Sequence, residues 1–319
     1  MTMRALLLAM VCGCTVADLT AAGEPDESQL LSQSTIAPCP TGQWCVETPA
    51  SMTSGPLLHA VWAIDANTVF AVGDNGTILQ RIDGNDWTPM PSGTTSNLRA
   101  VWGSSATDVW AGGGPGTILH FDGTSWSTVS AQISSVDSIW GANANSVWIT
   151  GATVVLRWNG TSFTTFALGG RLLSVSGTSP TDVWATGENA SVRHYTGTSW
   201  GMLLSTIGNS MYTVLALTPT DVWVSGPVAG KETAHYNGSR WTTFKTAPVA
   251  SDAVSFTSMS ALATNDVWGV GNSKIGHWNG TAWSLEEPFG SAQQLWSVST
   301  VPGHVWVVGL NGLIVHRQL

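Results

Sequence analysis

The chain has 319 residues, of which only 10% are charged, with 35 Gly and 18 Trp. Stretches of Ala, Leu, Glu and Lys are largely missing, which disfavours helices and suits short strands joined by tight turns. The net charge is −9 and no run of Lys or Arg exists, so a nucleic-acid partner, which needs a basic footprint to displace counterions, is set aside.

In chain order, residues 1–14 carry one positive charge at Arg4, then the apolar run ALLLAMV, then CGC. The run is too short to span a bilayer and fits the core of a signal peptide. In VCGC, Val11 stands three before Cys14 and small Gly13 directly before it. The segment resembles a bacterial lipobox, with Cys12 a departure from the usual pattern. That resemblance implies lipidation at Cys14 and attachment to the membrane through a lipid anchor only. Plain secretion is the alternative. Residues 15–38 hold four acidic and no basic residues and few large apolar ones, so they read as a flexible tether. Cys39 and Cys45 then remain for the folded part. An exported chain can keep them as a disulfide across a gap that a turn closes; two free thiols are the other possibility.

From Leu58 the chain repeats itself. LRAVWGSSATDVWAGGGPGTILHFDGTSW, residues 98–126, is the clearest copy, and similar units start at Leu58, Val136, Leu172, Met211, Phe256 and Leu295. The aromatic of the DVW triplet recurs at Phe70, Trp110, Trp148, Trp184, Trp223, Trp268 and Trp306, in steps of 36 to 45 residues. Periods of this length, with four strand-like pieces each, predict a β-propeller. LRAVWG is the innermost strand, DVWAGG the second, TILHF the third and SWSTV the fourth. Asn-Gly or Asp-Gly ahead of the fourth strand suits a type I′ hairpin, in which both central residues take positive φ.

Fourth-strand aromatics stand at Trp87, Trp126, Phe163, Trp200, Trp241 and Trp283, which is six for seven units. The seventh unit stops at LIVHRQL, after its third strand. Trp44, 43 residues before Trp87 in TGQWCVETP, supplies the missing aromatic. Residues 41–49 therefore complete the last blade and join strand edges that would otherwise stay open. The expectation is an all-β, seven-bladed propeller over residues 39–319, four antiparallel strands per blade, with a Cys39–Cys45 bridge stiffening the closing strand.

Most of the chemistry-bearing residues are absorbed by the repeat. All Trp but Trp296 occupy repeated positions, where the simplest role is packing between blades. His120, His194, His235, His277 and His316 share one third-strand position and diverge around the ring, so no metal and no cofactor is expected. Asp108, Asp182, Asp221 and Asp266 head the second strands, where an Asp side chain can accept backbone N–H bonds in a turn.

The endings DGTSW, NGTSF, TGTSW and NGTAW resemble compressed Asp-box repeats of sialidase-like propellers. The longer DVWAGGGPGTILHFDGTSW is similar to photosystem-II-assembly-factor-like propellers, and closer still to Trp-rich propeller lipoproteins of myxobacterial type. The resemblance covers residues 41–319 and implies the fold. Sialidase chemistry does not carry over, because Tyr195, Tyr236, Arg157 and Arg193 sit in third strands far from the axis.

The informative positions are those that break the repeat. The second residue of the innermost strand is His59, Arg99, Asp137, Leu173, Tyr212, Thr257 and Trp296 in turn, a polar and aromatic ring expected at the channel mouth. His59, Arg99, Asp137, Tyr212 and Trp296 are the candidate ligand-binding residues, and no catalytic residue is assigned. The longest variable loops are PVAGKE, residues 227–232, and KTAPVASDAVS, residues 245–255. These features predict a monomeric, non-catalytic binding or assembly module at the bacterial cell envelope, exported to the outer membrane or cell surface, or alternatively periplasmic or secreted, with a protein or glycan as ligand. A glycan-active hydrolase of sialidase-like type and a structural surface lipoprotein without a specific ligand are the alternatives.

Overall fold

The structure is a computed structural model describing residues 39–319 apart from 50, 51, 53, 54, 85, 190, 205–209, 227–231 and 248–251. Cys14 and the tether expected over residues 15–38 lie outside the described residues, as does most of the loop at 227–232.

Seven four-stranded antiparallel sheets form the blades of one ring. Their first strands, Leu58–Ala63, Leu98–Ser105, Ser138–Asn143, Leu172–Ser179, Thr213–Thr218, Ser258–Ala263 and Leu295–Val301, wall a central channel. Six blades run outward in chain order. The seventh runs Leu295–Val301, His304–Gly309, Ile314–Gln318 and then Trp44–Val46, paired Trp44↔Arg317, Cys45↔His316 and Val46↔Val315. The N-terminal strand thus closes the ring as the sequence predicts.

That strand is fastened on both sides. Toward blade 6, the Trp44 Nε1–H donates to Glu286 Oε2 at 2.9 Å, its ring meets Trp268 edge-on at 6.0 Å, and Arg317 covers both rings while donating to both Glu286 oxygens at 3.0 and 3.1 Å. Toward blade 1, buried Glu47 pairs with Arg81 at 3.3 Å and accepts from His316 Nδ1 at 2.9 Å. Cys39 and Cys45 are joined in a disulfide.

The core lies in the seams between blades, because each sheet buries both faces against its neighbours. Second strands are mostly apolar after a polar first residue and almost wholly buried. Each apolar cluster joins two neighbouring blades, as where Trp184 of blade 4 packs with Val222 and Val224 of blade 5. Trp184 also meets Tyr236 at 5.6 Å and Trp241 at 6.3 Å across that seam. The repeated aromatics are therefore packing between blades.

Two local expectations are corrected. The second-strand Asp residues engage the third-strand histidine rather than backbone N–H groups of the turn: Asp108 with His120 at 2.7 Å, Asp182 with His194 at 2.6 Å, Asp221 with His235 at 2.7 Å and Asp266 with His277 at 2.9 Å. The second oxygens of Asp108 and Asp182 accept the hydroxyls of Ser104 and Thr178 across the hairpin. The antiparallel register sets Trp110 opposite His120, so Asp108, two residues before the Trp, comes within reach of the imidazole nitrogen. Nor are the turns before the fourth strand type I′ in blades 2 to 6. Only the Gly takes positive φ there, 96° at Gly160 and 89° at Gly238, whereas in blade 1 Asp83 and Gly84 both do, at 55° and 73°. Asn159 and Asn237 instead accept two backbone N–H bonds each through Oδ1, capping a longer turn.

Candidate functional site

The first strands bring the seven repeat-breaking residues onto the wall of one cavity at the channel, of about 500 Å³. His59, Arg99, Leu173 and Trp296 sit at the second position of their strands, and Asp137, Tyr212 and Thr257 directly ahead of theirs, each between a buried apolar residue such as Leu58, Leu98 or Leu295 and a small one such as Ala60, Ala100 or Ser297. The buried residue anchors the strand in the seam and the small one lets neighbouring first strands converge. That leaves the residue between them as the position free to vary.

Deeper in the channel, the hydroxyls are already committed. Ser174 and Ser176 accept the backbone N–H groups of Val214 and Ala216 at 3.1 and 3.0 Å; Ser297 and Ser299 do the same for Val61 and Ala63 at 3.2 and 3.0 Å. Ser258 and Ser260 repeat the arrangement toward Val298 and Thr300. The wall is polar by composition, but these groups are spent on holding first strands together. Recognition is left to the ring at the mouth.

The ring divides into two sectors. On blades 2 to 4, the Asp137 side chain is only 7% exposed, and its Oδ1 lies 3.5 Å from Arg99 Nη1 and 3.2 Å from Arg171 Nη2. Its other oxygen accepts from Ser135 Oγ at 3.5 Å. On the opposite sector, Tyr212 is 38% exposed, and Trp296 is half-buried with its ring edge-on to His59 at 6.2 Å. His59 is in turn oriented by Asp74 at 2.8 Å, and Thr257 donates to the Trp296 carbonyl at 3.2 Å. Leu173 completes the ring.

Arg171, Asp74 and Ser135 are mouth residues that the scan of repeat-breaking positions misses. Asp74 opens the short 3-10 turn between second and third strands, Arg171 stands directly ahead of Leu172–Ser179, and Ser135 three residues ahead of Ser138–Asn143. A signal for Arg171 exists, since it adjoins Leu172 and is among only 11 Lys and Arg in the chain. The third-strand histidines do not converge; four hold their own Asp, and His316 holds Glu47.

Solved structures share this architecture at low identity. YCF48 bound to a D1 peptide aligns with a TM-score of 0.69 at 18% identity, covering 88% of this chain and 100% of that one. The WD40 β-propeller domain of Doa1 aligns at 0.73 and 11%, covering 87% and 98%. A catalytically inactive virginiamycin B lyase from Staphylococcus aureus, solved with quinupristin, aligns at 0.74 and 13%, covering 87% and 99%. The photosystem-II-assembly-factor-like resemblance is thus met at the level of fold, and at such identities fold is what the likeness shows. No family model matches the sequence, and no curated protein matches it.

Proposed function

We propose that the chain is a non-catalytic binding module, held at the bacterial envelope by a lipid on Cys14, that takes a segment of a partner protein at its channel mouth. The observation that carries this reading is that the seven positions where the repeat breaks all line one cavity. A rigid ring with variable residues gathered at one mouth is the arrangement of a binding scaffold. YCF48, solved with a D1 peptide, and the WD40 domain of Doa1 lend support as propellers of the same fold. A glycan platform is less favoured, because Trp296 turns its edge to His59 and is half-buried, leaving Tyr212 as the exposed ring. A two-carboxylate hydrolase is also less favoured. Among the described residues lining the cavity, Asp137 is the single carboxylate, and two guanidiniums already engage it.

The test is site-specific photo-crosslinking in cells. A crosslinker at position 212 is expected to trap a discrete protein adduct that Trp296→Ala weakens, while one at exposed Thr243 on an outer strand traps none. Equal adducts at both positions, or none at 212, would remove the mouth as the site. Cys14→Ala is expected to move the chain from the membrane pellet to the soluble fraction; retention in the pellet refutes the lipid anchor.

A further inference from the structure

We infer that the segment taken at the mouth is acidic, and that Arg99 and Arg171 receive one of its carboxylates. This rests on the reading of the mouth as a protein-binding site. Asp137 is buried, and one of its oxygens is shared by two guanidiniums, Arg99 on the first strand of blade 2 and Arg171 in the connection into blade 4. The shared carboxylate fixes both forks at the rim. It occupies one nitrogen of each, and an Arg carries five N–H donors. The forks themselves stay open to solvent, with Arg99 and Arg171 45% and 46% exposed. Glu188 reaches Arg171 only at 3.9 Å and is itself 47% exposed, so an incoming group can displace it.

Two pre-set guanidiniums facing out over a hidden counter-charge form a receptor for a planar two-oxygen anion. A carboxylate fits that geometry with a single charge. A phosphate would set a second negative charge beside Asp137 and Glu188. In a chain of net charge −9, Arg99 and Arg171 balance Asp137 and Glu188, so this sector of the mouth carries no negative surplus and a singly charged anion docks there through the free guanidinium N–H groups. Tyr212 and Trp296 across the mouth give the rest of such a segment an apolar surface.

The experiment is binding of the purified full-length chain to an array of octapeptides graded from four Glu to four Gln, with matching phosphoserine peptides and polygalacturonate spots. Retention is expected to rise with Glu count and to weaken with salt. It is expected to fall roughly ten- to hundred-fold in an Arg99→Gln, Arg171→Gln double variant, the size of lost charge-assisted hydrogen bonds. Because the change also strips the buried Asp137 carboxylate of its guanidiniums, Asp137→Asn is added to the variant, and its far-ultraviolet circular dichroism is expected to match the parent's at the assay temperature. Equal retention of Gln peptides, lost with Tyr212→Ala but not with the Arg variant, overturns the acidic assignment and leaves the mouth in place. Preference for phosphoserine overturns the carboxylate, and preference for polygalacturonate overturns the peptide. Retention of no peptide, or retention indifferent to every mouth substitution, overturns both the inference and the reading it rests on.

Discussion

In four blades the carboxylate heading the second strand reaches the third-strand imidazole, and in each that imidazole lies against the second-strand indole. Trp184 and His194 are stacked at 3.9 Å, Trp268 and His277 at 4.2 Å, and Trp223 and His235 at 4.4 Å. A carboxylate on one ring nitrogen orients the imidazole, and the indole face then finds a flat partner instead of a rotating one. Asp182→Ala would leave His194 without its partner and is expected to cost about 1.5–3 kcal/mol in urea unfolding. Arg99→Ala, on an exposed rim residue, is expected to stay within about 0.5 kcal/mol. Equal costs would mean that the Asp–His pair does not hold the blade. The pairing was visible in the sequence in a way that reading each position alone misses. Asp and His occur together in blades 2, 4, 5 and 6, whereas blades 1 and 3 have Thr68 with Gln80 and Ser146 with Arg157. In blade 3 the guanidinium of Arg157 takes the place of the imidazole over Trp148, at 5.2 Å.

Six of the seven seams between first strands are of two kinds, three of each, and in these a pair of residues on different blades decides which forms. The seam of blades 5 and 6, with Leu215 and Ala261 at these positions, is apolar and belongs to neither kind. Trp62, Trp102 and Trp140 each lie beside a Gly on the next blade: Trp62 Nε1–H donates to the Gly103 carbonyl at 3.0 Å, and a Cβ on Gly141 or Gly177 would strike the ring of Trp102 or Trp140. Where the next blade carries Ala or Thr there, at Ala216, Thr300 and Ala63, the partner is Ser176, Ser260 or Ser299, whose hydroxyl accepts that residue's N–H. Gly177 has no positive φ, so its constraint is steric: an added Cβ would lie 2.6 Å from the Asp182 carbonyl oxygen and 2.7 Å from the Trp140 ring. Gly177→Ala is expected to destabilise by about 1–3 kcal/mol through overpacking. Joined to Trp140→Ser, which recreates the other seam, it should cost less than the two single changes added together. A double-mutant cycle measures this, and strict additivity would sink the rule.

The closing strand carries its own chemistry because blade 7 departs from the pattern. His304 stands where four blades have Asp; its Nδ1 lies 2.8 Å from His316 Nε2, and the other nitrogen of His316 meets Glu47. Burial, together with the positive fields of His316 and Arg81, holds His304 below the ordinary histidine range against the pull of Glu47. Burial alone would raise Glu47, but the His316 hydrogen bond and the Arg81 guanidinium outweigh it and hold Glu47 below the ordinary carboxylate range. Both depressed values act in one direction. Below about pH 6.5 the unfolded chain binds a proton at His304 that the folded chain resists, and Glu47 adds the same effect in more acid solution. Stability is therefore complete above about pH 6.5 and declines as the pH falls. Urea midpoints from pH 7.5 to 5 should show the decline, and His304→Asn should flatten its upper part; a midpoint that rises on acidification would contradict the assignment.

At the scale of the whole molecule, the architecture was legible because a propeller writes its period into sequence. Trp44 at 43 residues before Trp87 was enough to place the closing strand. The ring of mouth residues was legible too, as the single first-strand position without a rule. What the sequence hid depends on chain-distant neighbours. Glu47 meets His316 across 269 residues, and the sharing of Asp137 between Arg99 and Arg171 follows from how three blades converge. The long closure also makes a global prediction. A chain starting after residue 49 keeps Ile314–Gln318 as a bare strand edge, where the intact ring pairs it with Trp44–Val46. Such an edge invites pairing with another molecule. Light scattering is expected to show self-association of the truncated chain and none at the same concentration for the intact one.

The position of the disulfide has a mechanical consequence. Any pull on the chain ahead of Cys39 enters the ring at the one blade whose sheet is built from both ends of the folded chain. The covalent bridge passes that load from Cys39 directly to Cys45, the middle of the three residues paired to Ile314–Gln318. Trp44, with its anchor on Glu286 and Trp268, sits inside the bridged loop and feels no tension. An oxidised ring therefore resists tugging from its first strand pair inward, and reduction would let the strand peel from Trp44 like tape lifted at a corner.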